Sequence, residues 1–186
     1  KRTFEALSEL IQETADEIRY LESVSNSLDI ALSEADLGQI KEELTASGYV
    51  RRKFTKKKVK LTNKPMHYIS SDGYDIYVGK NNIQNDELTF SFANGGDWWF
   101  HAKGAPGSHV IVKTNGDELP DRTFEEAGRL AAYYSKNRGS DKVEIDYIEK
   151  KHVKKPNGAK PGFVVYYTNS SLVIDSDISN IKVVQD

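Results

Sequence analysis

The first 35 residues carry apolar side chains at steps of three and four, and this spacing constrains the fold more than any other feature. Eight of the ten positions in register are apolar: Phe4, Leu7, Ile11, Thr14, Ile18, Leu21, Ser25, Leu28, Leu32 and Ala35. Such a stripe over about four heptads is typical of a coiled-coil helix. We therefore predict that residues 1–32 form one long projecting helix. Its stripe would be buried against a preceding helix of the same chain or against a second copy.

A second, shorter helix is predicted after Ser33, which can cap it, with Gly48 as its end. Together the two helices form an arm over residues 1–48. Residues 1–45 carry 11 acidic and four basic side chains, a net charge of −7. Residues 46–186 carry 17 acidic and 22 basic ones, a net charge of +5. This split indicates that the part after the arm is the one that meets a polyanion.

Residues 49–65 are predicted to form a basic linker or strand. The segment RRKFTKKKVK, residues 51–60, has seven Lys or Arg side chains in ten. Two interpretations carry about equal weight: a solvated linker, or a stripe that contacts phosphates.

From residue 66 the apolar period changes to two, which is typical of β-strands. Strands are predicted at Met66–Ser70, Tyr74–Val78, Glu87–Phe92, Asp97–Ala102, Ser108–Lys113, Lys142–Glu149, Gly162–Thr168, Leu172–Asp175 and Ile181–Val184. One helix is predicted at Arg122–Lys136, and Ser71-Asp72-Gly73 is a hairpin signal. Strands and helices do not alternate regularly. We therefore predict an α+β fold, in which a helical coiled-coil arm precedes a mixed, mostly antiparallel sheet domain with one main helix. This domain, residues 66–186, is called the body below.

A first polar cluster follows the predicted strand that ends at Val78. Its candidate binding residues are Lys80, Asn81, Asn82, Gln84, Asn85 and Asp86. Amides and carboxylates cap turns, which would account for two or three of them. A loop of amides beside an ammonium also suits phosphates, sugars or base edges. It is not a Walker loop, because no second Gly-Lys-Ser/Thr follows.

A second cluster surrounds the turn after Ala102. Asp97 and His101 share a strand face, and the turn could return His109 beside them. These three could ligate a metal or form an acid–base site. We favour a third interpretation, a hydrogen-bonded network that holds the turn and presents Lys103 and Ser108 to a ligand. No Ser-His-Asp spacing or Gly-x-Ser-x-Gly elbow is present, and the chain has no cysteine. We expect a binding module with no cofactor or metal, not an enzyme.

A third cluster is rich in lysine, proline and glycine. Its candidate residues are Lys150, Lys151, Lys154, Lys155 and Lys160. It is either a solvated loop or a loop shaped for binding. We predict that the three clusters line one basic, concave surface that holds RNA.

Four segments in order resemble a known family. They are VGKNNIQNDELTF (Val78–Phe90), DWWFHAKGAPGSHVIV (Asp97–Val112), YSK (Tyr134–Lys136) and DYIEKKHVKKPNGAKPGFVVY (Asp146–Tyr166). They resemble the NFACT-R domain of the bacterial RqcH/fibronectin-binding protein A-like family, and residues 1–45 resemble its second coiled-coil helix. The resemblance implies RNA binding within a ribosome-associated quality-control factor. Full-length members bind stalled large ribosomal subunits and tRNA and recruit alanyl-tRNA for C-terminal tailing. Streptococcal-type members are also described as fibronectin- or fibrinogen-binding adhesins.

These implications lead to two alternative expectations. The first is a cytoplasmic RNA-binding module; the second is an adhesin domain that reaches the cell surface without a signal peptide. The NFACT-N domain and the first coiled-coil helix are not in the sequence, so tailing is not expected from this chain alone. No apolar run approaches the roughly 20 residues that span a bilayer, and self-association through the arm is expected.

Overall fold

The arm consists of two consecutive helices. In the computed structural model, which describes residues 2–51 and 63–184, helix α1 runs over Arg2–Ile30 and helix α2 over Glu34–Ala46. Ser33 begins α2 as predicted: its hydroxyl accepts from the Asp36 amide, and the Asp36 carboxylate accepts from the Ser33 amide at 3.0 Å. Gly48, with φ +83°, follows the end of α2. No described helix has the length and hydrophobicity to cross a membrane.

The apolar stripe of α1 is exposed to solvent. Every apolar residue of the predicted seam from Phe4 to Leu32 is at least 41% exposed. Only the last turns of the helix pack: Tyr20 and Val24 meet Ile40 of α2, and Ile30 joins the core of the body. The first four turns therefore project with an uncovered apolar face.

The body is a seven-stranded sheet in which every neighbouring pair is antiparallel. The strands are β1 (Met66–Ile69), β2 (Asp75–Val78), β3 (Trp98–Ala102), β4 (Val110–Val112), β5 (Val143–Glu149), β6 (Ser170–Ile174) and β7 (Lys182–Val183). Their order across the sheet is β6-β5-β3-β4-β2-β1-β7. A short helix, α3 (Asn82–Glu87), follows β2, and α4 (Asp121–Tyr133) follows β4. The predicted α+β class is confirmed.

The two faces of the sheet are covered differently. On the inner face, Phe100, Val110 and Ile145 pack against Leu130 and the neighbouring alanines of α4. On the outer face, Trp99 and its neighbours are covered by two non-strand segments, residues 88–93 and 153–166. The second segment carries part of the third polar cluster, and the first directly follows the first cluster, so the outer face positions the candidate site.

Two predicted strands are absent. Glu87–Phe92 instead continues α3 as a π-helical turn over Leu88–Phe92, closed by the Ala93 amide on the Leu88 carbonyl at 2.9 Å. The alternation of its apolar residues suggested a strand, but Asn81 caps a helix that runs into it. Gly162–Thr168 has a single bridge, Val165 with Lys154. Positive φ at Gly162 and Thr168 breaks the extended chain at both ends.

The basic segment 51–60 lies almost wholly outside the described residues, so its two interpretations stay predictions.

Candidate nucleic-acid interface

The first polar cluster is buried. Asn81, Asn82, Gln84 and Asn85 are each at most 4% exposed. Asn81 begins α3: its side-chain oxygen accepts from the Gln84 amide at 3.0 Å. The sequence suggested a loop that offers amides to RNA, whereas the structure has a capped helix whose amides already have protein partners.

These partners belong to the arm, Gln39 and Glu43 to helix α2 and Ser23 to helix α1. Asn81 and Gln84 both donate to the Gln39 side-chain oxygen, at 2.8 and 2.9 Å. Asn82 donates to Glu43 at 2.9 Å and to the hydroxyl of Ser23 at 2.8 Å. The predicted base-reading amides therefore fix the arm on the body.

A buried ion pair lies in the same contact between the arm and the body. Lys80 lies 2.7 Å from the carboxylate of Asp36 and also donates to Asn63. Burial raises the pKa of Asp36, but the hydrogen bonds from Lys80 and Asn63 outweigh it and hold the pKa at about 2. Both charges are therefore used within the fold.

Asn85 and Asp86 fix two other segments. The Asn85 side-chain oxygen accepts from the His109 amide at 2.9 Å. A Cβ at Gly79 would lie 2.2 Å from that oxygen, so only glycine fits there. Asp86 accepts from Lys155 and from the Gly162 amide, which ties the lysine-rich loop to α3.

Asp97 is not part of a cluster with the histidines. It shares a sheet face with His101, as predicted, but at the opposite end of β3, about 13 Å away at ~3.3 Å per residue. It accepts there from Lys113 and from the Thr114 amide. Alternation determines the face of a side chain and not its position along the strand. Within residues 2–51 and 63–184, no three His, Cys, Asp or Glu side chains are grouped to hold a metal.

His101 and His109 do lie together. Their rings are 5.5 Å apart and perpendicular, and His109 Nδ1 is 2.8 Å from the hydroxyl of Thr89. Burial lowers the pKa of His101 to about 4; burial and the neighbouring His101 also lower the pKa of His109. Two neutral imidazoles therefore support the turn. Ser108 is buried, and its hydroxyl has no hydrogen-bond partner in the described part of the chain.

The lysines of the three clusters have different roles. Four form ion pairs: Lys80 with Asp36, Lys103 with Glu144, Lys151 with Glu149 and Lys155 with Asp86. Lys160 lies over the rings of Tyr20 and Tyr49, 4.0 and 5.4 Å from their centroids. Lys154 is exposed and Lys150 half-buried, and neither forms an ion pair among the described residues. Among the cluster lysines, these two are the most available to a phosphate.

A cavity of about 900 Å³ lies between α1, the turn at 104–107 and the loop at 156–162. Two of the three clusters thus converge, and the first contributes only Asn82. Of the seven predicted lysines, Lys160 alone lines the cavity, whereas α1 contributes Glu13, Asp16, Glu17 and Glu22. The prediction of one basic surface is therefore wrong: the cavity has mixed charge because the acidic arm forms one wall.

Comparison with protein families shows what this chain is related to. Residues 64–168 match the RNA binding domain of NFACT proteins, and residues 1–63 match the NFACT N-terminal and middle domains. The chain belongs to the NFACT family. This confirms the resemblance deduced from the four sequence segments.

Relatives are found in bacteria and animals. The chain is 45% identical over 183 residues to the Rqc2 homolog RqcH of Streptococcus suis, covering 98% of this chain and 33% of that protein. It is 40% identical to the RqcH of Bacillus subtilis, covering 97% of this chain and 32% of that protein. Human ribosome quality control complex subunit NEMF is 37% identical over 81 residues, covering 42% of this chain and 7% of NEMF. The chain thus spans about a third of the RqcH relatives.

One solved structure matches the fold closely. It is the C-terminal part of the fibronectin/fibrinogen-binding protein from Streptococcus suis, with a TM-score of 0.88 and 43% identity. The match covers 97% of this chain and 73% of that one, so it includes both arm and body.

Proposed function

We propose that this chain is the RNA-binding part of a ribosome-associated quality-control factor and that it contacts the large ribosomal subunit and tRNA. The match of residues 64–168 to the NFACT RNA binding domain carries the proposal. The relatives RqcH and NEMF, one named as an Rqc2 homolog and the other as a ribosome quality control subunit, point to the same process. Alanine tailing would belong to the full-length protein, and a ribosomal partner would place it in the cytoplasm.

The proposed contact is the segment Lys150–Lys154. It carries Lys150 and Lys154, two cluster lysines that form no ion pair among the described residues, so their charge is available although the body, with 17 acidic and 14 basic side chains, has a net charge of −3. Lys155 is unsuited to the role because Asp86 and the Lys160 carbonyl already hold its ammonium group. We propose that the domain acts by binding RNA and not by catalysis.

The test is the double charge reversal Lys150→Glu with Lys154→Glu. Phosphate contacts release counterions, so the logarithm of the binding constant falls linearly with the logarithm of the salt concentration. Each lost contact reduces the steepness of this line, the salt slope, by about one unit. We expect binding to large ribosomal subunits and to tRNA to weaken together, with a slope about two units smaller. The matched control is Lys142→Glu with Lys182→Glu, which reverses two exposed lysines elsewhere on the body. An equal effect in both variants would contradict the assigned contact.

The second candidate function is fibronectin or fibrinogen binding. It is favoured by the close match to the Streptococcus suis structure. Immobilised fibronectin, probed after nuclease treatment, separates the two proposals. Specific fibronectin binding, together with no affinity for ribosomal subunits or tRNA, would make the adhesin function the better account.

A further inference from the structure

Three aromatic rings form a row on the outer face of the sheet, outside all three predicted clusters. His67 of β1 stacks on Tyr77 of β2, with centroids 4.5 Å apart and planes 6° apart. Phe92 meets Tyr77 edge to face at 4.7 Å. We call these three residues the aromatic row. The two tryptophans, in contrast, are used in packing: Trp99 is fully buried and Trp98 packs against the main core.

Phe92, one member of the aromatic row, lies on an unusual backbone segment. Phe92 is the last residue of the π-helical turn Leu88–Phe92 and is 44% exposed despite its contacts. Single π-turns often occur at functional sites. Beside Phe92 lies a hollow of about 440 Å³ lined by Pro65, Gln84, Glu87, Leu88, Ser91 and Phe92. An exposed ring at the edge of such a hollow can stack against a flat group of a ligand.

The charges around the aromatic row are mixed: the exposed carboxylate of Glu87 lines the hollow, whereas two lysines lie near the π-turn. Two nearby carboxylates already have cationic or hydrogen-bonding partners: Asp97 pairs with Lys113 and Asp75 with His67. Lys113 also lies 4.9 Å from the ring centroid of Phe92 and thereby helps to hold that ring. Lys150 lies 5.9 Å from the ring of Phe90 on the same π-turn. A lysine without an ion-pair partner in the described chain thus stands beside the π-turn that carries Phe92.

We propose that the aromatic row is a stacking site for an unpaired base of single-stranded RNA, with Lys150 near the adjoining phosphate. This inference rests on the proposed RNA-binding function and adds which form of RNA is bound. Unpaired bases stack on aromatic rings of a sheet face, whereas bases inside a duplex cannot reach them. The row would therefore favour loops and ends of RNA over continuous helix.

The experiment compares Phe92→Leu with Phe92→Tyr, using a short single-stranded RNA and its duplex as probes. Loss of the ring should weaken single-strand binding about tenfold, because stacking contributes substantially per base. Phe92→Tyr should restore binding, the salt slope should stay the same, and duplex binding should not change. The control Tyr167→Leu removes a ring that is 74% exposed, next to the far edge strand β6.

The outcomes separate the two proposals. If the unaltered chain binds RNA but Phe92→Leu has no effect, or weakens duplex and single strand equally, the stacking site is overturned and the RNA-binding function stands. Loss of fibronectin binding in Phe92→Leu, with RNA binding intact, would make the row a protein contact and overturn the inference. Absence of RNA binding by the unaltered chain would overturn both.

Discussion

The amide group of Asn82 is one of the groups that connect the arm to the body. It donates to Glu43 and to Ser23, and the second oxygen of Glu43 is buried without a partner in the described residues. Burial raises the pKa of Glu43, and the hydrogen bond from Asn82 opposes this shift. Removal of the amide would leave a buried carboxyl group with one fewer donor, which is costly.

We expect Asn82→Ala to lower the free energy of unfolding by roughly 1–3 kcal/mol, measured by urea denaturation. RNA affinity should be unchanged at temperatures where the variant is folded, because Asn82 is only 4% exposed. Asn157→Ala, in the exposed loop, is the control. Weaker RNA binding with unchanged stability would instead support the base-reading role that the sequence suggested.

The buried histidines predict sensitivity to acid. A histidine in an unfolded chain has a pKa near 6.5, whereas burial lowers that of His101 to about 4. Between these values the unfolded state binds more protons, so stability falls as the pH falls. We expect His101 to account for a loss on the order of 3 kcal/mol across this window. In urea titrations, His101→Asn should flatten the pH dependence relative to His152→Asn, and parallel curves for the two variants would refute the assignment.

At the scale of elements, local patterns predicted local structure. The hairpin of β1 and β2, the capped helix α2 and helix α4 each follow from signals within a few residues of one another. The segment at residues 81–92 was mispredicted because its partners are distant: Gln39 and Glu43 lie some 40 residues earlier in the chain. A run of buried amides cannot be told from an exposed one without knowledge of what covers it. The aromatic row was missed for a similar reason, because His67 and Phe92 meet Tyr77 only through the fold.

The arm carries its own prediction. Exposed apolar stripes associate, so the chain should form dimers or larger species in sedimentation experiments. Ile11→Lys with Ile18→Lys, at positions 63% and 53% exposed, should shift it to monomer without lowering the stability of the body. Glu9→Lys, an exposed helix position outside the stripe, is the matched control. A chain that is already monomeric at high concentration would refute self-association through this stripe.

At the scale of the whole molecule, charge is distributed unevenly along the chain. The sequence showed an acidic arm, but not that this arm would form one wall of the cavity. The positive charge after the arm is concentrated in residues 46–65, and the body itself, with 17 acidic and 14 basic side chains, has a net charge of −3. Helix α2 packs on α3 through buried polar groups, and there Lys80, which the sequence analysis assigned to RNA, pairs with Asp36. Among the seven lysines of the three clusters, those left for RNA are therefore fewer than the composition suggests. Only three-dimensional contacts reveal which lysines already have partners.

The central claim is that the outer face of the sheet binds ribosomal RNA. Ultraviolet crosslinking of the chain to purified large ribosomal subunits, followed by mapping of the modified peptides, tests it most directly. We predict crosslinks in Lys150–Lys154 and around Phe92, and none at the buried amides of residues 81–85. Crosslinks confined to residues 81–85, or no crosslinks to RNA under conditions where the subunits bind, would contradict the claim.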